Sequence, residues 1–212
     1  MKQFPEHLAD RFRRFKHRHF APNQDHYEKL AAGGQSPDVM IVSCSDSRVD
    51  PETLFSAMPG ELFVVRNVAN LVPPFETQGK YHGVSAALEF AALNIRVKHI
   101  VVLGHSGCGG VRACLDHGAM RQTQSEFILN WMSMLDGARD KVVAAHPGKP
   151  EAELHGALER EGIKTSLANL RTFPCIQILE GRGSVQLHGA YFDIASGMLE
   201  VLDRESGEFV KL

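Results

Sequence analysis

The sequence predicts an α/β fold: a single domain with a mainly parallel central β-sheet flanked by helices, preceded by an N-terminal helical arm. Three observations carry this. Short β-rich runs alternate with longer segments of helical periodicity, the pattern of strand–helix–strand units. The run His99 to Leu103 is apolar almost throughout, as in a parallel strand covered on both faces. Two residue clusters of unusual chemistry directly follow predicted strands, where open α/β sheets place their sites. A length of 212 residues suits one such domain with a sizeable core.

The elements follow in order. Residues 1–27 form the arm: Phe4, Leu8, Phe12 and Phe15 recur at helical spacing, an apolar stripe that needs a surface to cover it. Residues 28–212 form the α/β domain. Val39 to Ser43 is its first strand and Glu61 to Arg66, after the Pro59-Gly60 turn, its second. His82 to Ile95 is a helix with Val84, Leu88, Ala91 and Ile95 on one face. His99 to Leu103 is the next strand, and Val111 to His117 begins another helix. Glu126 to Ala145 and Glu151 to Thr172 are helical, separated by the breaker His146-Pro147-Gly148. Ile176 to Leu179 and Ser184 to Phe192 are expected as strands. Leu199 to Leu202 and Phe209 to Leu212 are expected as a hairpin around Glu205 to Gly207.

Composition narrows the function. Hydrophobic residues make up 43% and charged residues 23%, with a net charge of -2. No global field favours nucleic acid as a partner. The apolar runs are too short to span a bilayer. The N-terminal Met-Lys-Gln-Phe-Pro-Glu contains no apolar signal segment, so a cytoplasmic chain is expected. Its four cysteines, Cys44, Cys108, Cys114 and Cys175, are then expected as thiols serving metal binding or catalysis rather than a disulfide framework.

The first motif is Cys44-Ser45-Asp46-Ser47-Arg48. If the backbone stays extended, alternation puts Cys44, Asp46 and Arg48 on one side, and the guanidinium can clamp the carboxylate through two hydrogen bonds. The second motif is His105-Ser106-Gly107-Cys108-Gly109-Gly110. His and Cys three apart can converge on one metal from a tight turn, and Cys108 lies near a helix N-terminus that favours thiolate. Two thiolates and one imidazole suit zinc, and three protein ligands leave the open fourth position of a catalytic site. Cys114 and Cys175 are expected as small buried apolar residues. The glycine-rich turn lacks the Lys-Ser/Thr ending of a P-loop, and Arg112 stands where a dinucleotide fingerprint needs its third glycine.

Cys-Ser-Asp-Ser-Arg followed by His-x-x-Cys-Gly-Gly resembles the signature of β-class carbonic anhydrases. Pro59 to Asn70 and His188 to Asp193 are similar to further family segments, and Gly79 to Val84 resembles the plant-like branch. The resemblance implies one zinc per chain on Cys44, His105 and Cys108, and reversible hydration of carbon dioxide to bicarbonate through a zinc-bound hydroxide. Asp46 and Arg48 would form the dyad that orients the hydroxide. Gln35, Phe63, Val68, Phe90 and Gly109 would contact substrate, Gln35 across a subunit interface of a homodimer or homotetramer. Phe90 and Asn94 replace a tyrosine and a histidine of plant enzymes, which leaves His82 as the proton-shuttle candidate. Another branch carries an inhibitory bicarbonate pocket built on polar aromatics; here those places hold Ile41 and Phe192. Two thiolates weaken the acidifying power of zinc, so activity is expected to favour mildly alkaline pH. Two other readings share the motifs: hydrolysis of carbon disulfide or carbonyl sulfide, and a non-catalytic zinc protein.

Overall fold

The computed structural model describes residues 4–116 and 126–212. His117, the expected end of one helix, lies outside them. The chain divides into two compact units, Met1–Ser36 and Pro37–Leu212. In the first, α1 (Glu6–Phe15) runs through a π turn, Lys16–Phe20, and a 3-10 turn, Ala21–Asn23, into α2 (Gln24–Gly33). Helix α2 thus crosses position 27, where the sequence reading ends the arm.

The second unit is built on six strands: β1 (Val39–Cys44), β2 (Leu62–Asn67), β3 (His99–His105), β4 (Gln186–Asp193), β5 (Met198–Leu202) and β6 (Phe209–Lys211). Their order is β2-β1-β3-β4-β5-β6. The first four are parallel; β5 and β6 join antiparallel, the expected hairpin. Alternation along the strands sorts side chains between two cores. Met40, Val42, Ile100 and Val102 pack with Leu88, Ala91, Ile163 and Ile176 on one face, while Ile41 and Leu103 pack with Ala190 on the other.

The helices of this unit are α3 (Pro51–Leu54), α4 (Gly83–Glu89, continued by a π turn Phe90–Ile95), α5 (Gly109–Leu115), α6 (Glu126–Met132), α7 (Asp136–Ala145), α8 (Glu151–Leu170) and α9 (Pro174–Gly181). Helix α8 buries Leu158, Ile163, Leu167 and Leu170 at helical spacing, along with His155 and Glu159. One expected strand is corrected: Ile176 to Leu179 lies in α9. Pro174 at its first turn pre-sets helical φ. Ile176 and Leu179, three apart, share one face and pack on the core. No helix among the described residues is long and apolar enough to cross a membrane.

Candidate metal centre

β1 and β3 are neighbours in register, Ser43 opposite Leu103, so Cys44 and His105 end adjacent strands at the carboxyl edge of the sheet. The turn after β3 returns Cys108 to the same place. Gly107 makes that turn at φ 69, where a side chain would be strained. Cys44, His105 and Cys108 are 5, 1 and 1% exposed. Their ligand atoms all lie within 4.8 Å of one another, the arrangement of a group that can hold a metal ion.

The donor set fits zinc. The two Sγ atoms are 4.0 Å apart; two thiolates each at 2.3 Å from a tetrahedral zinc stand about 3.8 Å apart. His105 Nδ1 is 3.0 Å from the Ser106 carbonyl, which can only accept, so Nδ1 carries the proton. Nε2 then faces the sulfurs with its lone pair, buried and without a hydrogen-bond partner. The charges agree. Hydrogen bonding from Cys108 pulls the Cys44 thiol pKa down against the opposing effect of burial, with His105 adding to the pull. The partner Cys108 is pushed up by Cys44 and by burial. Two buried thiols this close oppose each other's ionisation, and a divalent ion is what allows both to ionise. Cys108 stands at the N-cap position of α5 as expected, without a side-chain capping bond, and Cys44 and burial outweigh the lowering effect of the Val111 and Gly110 backbone N–H groups there. Burial pulls the His105 imidazolium down, yet the Cys44 thiolate, the Ser106 carbonyl and Asp46 together outweigh it and raise its pKa.

Beside this cluster, Arg48 clamps Asp46 through Nε to Oδ1 at 2.9 Å and Nη2 to Oδ2 at 2.7 Å. Oδ2 stands 3.9 Å from His105 Nε2. The route to this pair differs from the expected one. β1 ends at Cys44, and residues 46–49 turn. The Arg48 N–H donates to Asp46 Oδ1 at 3.0 Å, so a side-chain-capped turn rather than strand alternation brings the two together. Arg48 also donates to the Gly107 carbonyl at 2.9 Å, tying the first motif to the second. Arg66 holds the first motif from outside, donating to the carbonyls of Cys44, Asp46 and Val49. The Arg48 guanidinium keeps the Asp46 carboxyl well below the usual carboxylate range.

The other expected residues are placed as follows. Gly109 opens α5 directly after Cys108 and is exposed. Val68 follows Asn67, the register partner of Cys44, and lines a groove of about 440 Å³ with Phe127, Ile128 and Trp131. The Phe63 and Phe90 rings lie tilted against each other with centroids 6.0 Å apart, and Phe63 packs against the main core. They do not line that groove. Gln35 is exposed in the Met1–Ser36 unit. His82 lies against a second groove with Tyr81, Trp131 and Met134. Cys114 is buried as expected, whereas Cys175 is only half-buried at the edge of the main core; partial or full burial raises both thiol pKa values. Ile41 and Phe192 share one apolar cluster.

Sequence reasoning missed three buried polar residues behind Cys108: His155, Glu159 and Tyr191. Glu159 Oε1 accepts from the Cys108 N–H at 2.7 Å, and Tyr191 O–H donates to Oε2 at 2.8 Å. A signal was present: Glu159 and His155 fall in the core stripe of α8, where a charged residue needs a partner.

The sequence family described as carbonic anhydrase matches residues 39–199. A carbonic anhydrase of Pseudomonas aeruginosa is 39% identical over 205 residues, 97% of this chain and 90% of that protein. The solved β-carbonic anhydrase CcaA superposes with a TM-score of 0.92 at 30% identity, covering 98% of each chain. A structure from a study of two tetrameric β-carbonic anhydrases of Sordaria macrospora superposes with a TM-score of 0.81 at 28% identity, covering 93% of this chain and 95% of that one. The paired motifs, the strand ends that join them and these relatives agree: the chain belongs to the carbonic anhydrase family, in its β class.

Proposed function

We propose that this protein catalyses the reversible hydration of carbon dioxide to bicarbonate and a proton, at one zinc ion per chain held by Cys44, His105 and Cys108. The observation that carries the reading is the Asp46–Arg48 clamp beside a three-ligand cluster. A structural metal has no use for an oriented carboxylate next to an open position. Zinc supplies Lewis acidity that lets water ionise near neutral pH. Asp46, kept ionised and aimed by Arg48, accepts a hydrogen bond from the attacking oxygen and fixes its orientation. It stays on Arg48 rather than joining the ligands. The Gly109 N–H meets substrate oxygen; Val68 forms one side of the apolar wall and Phe63 and Phe90, which stand outside the Val68 groove, the other, with Gln35 reaching the site of a neighbouring subunit. His82 is the proton-exit candidate.

Membership of the plant-like branch is supported by Gly79 to Val84 and by Ile41 and Phe192, which offer no polar aromatic donors for an inhibitory bicarbonate. The α/β domain of 28–212 carries the chemistry and the arm of 1–27 contacts another subunit, in a homodimer or homotetramer. Metal-binding thiolates suit the reducing cytoplasm. The test is stopped-flow hydration with and without a chelator. Activity that tracks one zinc per chain is expected; full activity after zinc is removed would overturn the reading.

A further inference from the structure

The geometry points to Glu159 and His155 as positioning residues of the metal site: together they grip both peptide groups of Cys108 from behind and set how tightly its sulfur binds metal. This rests on the assignment of Cys108 as a zinc ligand.

Cys108 is held by its backbone. Its N–H donates to Glu159 Oε1 at 2.7 Å, and its carbonyl lies 2.9 Å from His155 Nε2. The same nitrogen is 3.1 Å from Glu159 Oε1. A carbonyl and a carboxylate only accept, so His155 Nε2 carries a proton shared between them. Tyr191 donates to the remaining carboxylate oxygen at 2.8 Å. One carboxylate therefore takes three donors, and its residue is 4% exposed. Behind it, the Arg160 guanidinium lies 3.8 Å over the Tyr191 ring and pairs with Glu200.

Fold stability alone does not account for this arrangement. Well-packed apolar side chains in place of a buried charged network are often neutral or stabilising. The network also meets the fold at a particular point. Helix α8 turns its apolar stripe to the core, and His155 and Glu159, one turn apart, occupy the part of the stripe that faces the ligand turn. Cys108 there sits between Gly107 and Gly109, residues that leave the backbone wide freedom unless it is held from outside. Fixing both peptide groups orders the ligand before metal arrives, so less of the binding free energy is spent on ordering. Partners of this kind typically change metal affinity by about 10–100-fold.

The test measures zinc affinity of the full chain by chelator competition, with the thiolate-to-metal absorption band of the cobalt-substituted protein as a second readout. His155→Leu removes the donor to Cys108; His155→Gln restores an amide N–H near the same place. His155→Leu should bind zinc about 10–100-fold more weakly with an altered cobalt band, and His155→Gln should recover to within about threefold of the parent. Glu159→Gln, close in shape but uncharged, should bind about tenfold more weakly. Parental affinity and an unchanged cobalt band in both His155→Leu and Glu159→Gln would overturn the proposal, even if their melting temperatures fell. Should His155→Leu not fold, parental affinity in Glu159→Gln alone would overturn it. A parent protein that binds no zinc would sink the ligand assignment itself, and this proposal with it.

Discussion

At the scale of single residues, the proposed roles divide into groups that hold metal and groups that aim chemistry, and the two should separate under mutation. Cys108→Ser should strip most of the zinc, because a serine hydroxyl stays protonated at neutral pH and is a poor ligand. Metal analysis of the purified variant checks this, and full zinc content would refute the assignment. Arg48→Ala should keep its zinc but lose kcat by roughly 10–100-fold, since Asp46 is no longer aimed. It should also change how Asp46 titrates. Arg48 depresses the folded-state pKa, so the pair's contribution is present above the ordinary value of 3.8 and is lost only as pH falls through the lower folded one. Carbon-13 NMR of the Asp46 carboxyl should therefore be flat between about pH 4 and 7 in the parent. In Arg48→Ala the carboxyl pKa should rise from its depressed value toward the ordinary carboxylate range, so a titration step should move up in pH. A step above pH 4 in the parent would contradict the clamp. The pair was legible in the sequence because Asp46 and Arg48 are two apart beside a cysteine. For Glu159 the core stripe signalled a need for a partner but not which one, because Cys108 is 51 positions away and nothing local links them.

At the scale of elements, most of the fold was readable because period decides it: apolar runs became β1 and β3, and the stripe of α8 became core. Ile176 to Leu179 misled because a four-residue apolar run fits a buried strand and a helix face equally well, and the deciding residue, Pro174, lies outside the run. The contact between β3 and α8 gives a prediction. A Cβ added at Gly104 would stand 2.7 Å from Ile163 Cδ1. Gly104→Ala should cost about 1–3 kcal/mol through overpacking. Ile163→Val, which removes that methyl, should recover part of the loss in the double variant. Chemical denaturation of the four proteins checks it, and simple additivity would rule out the clash.

At the scale of the whole molecule, the surface of one chain carries Tyr81, Phe127, Phe4 and Phe12 at 96, 91, 69 and 62% exposure. Large apolar side chains left so open mark association surfaces. Sedimentation at assay concentration should show a dimer or tetramer; a fully active monomer would contradict it. Subunit association could not be read from periodicity, which shows an uncovered stripe but not what covers it. Zinc at a hundred times its dissociation constant should add about 2.7 kcal/mol to unfolding, measured as a melting shift reversed by chelator. The joining of two distant strand ends also bears on biosynthesis. Cys44 leaves the ribosome 64 residues ahead of Cys108. At ordinary translation speeds that is a lag of roughly 3–13 s. During that interval Cys44 is a lone thiol on a nascent chain, open to oxidants and to soft metals that need fewer ligands. If Cys44, His105 and Cys108 hold the proposed zinc, loading with the right ion waits for the β3 turn to be synthesised and docked, and copper or peroxide stress during translation should damage new chains far more than finished ones.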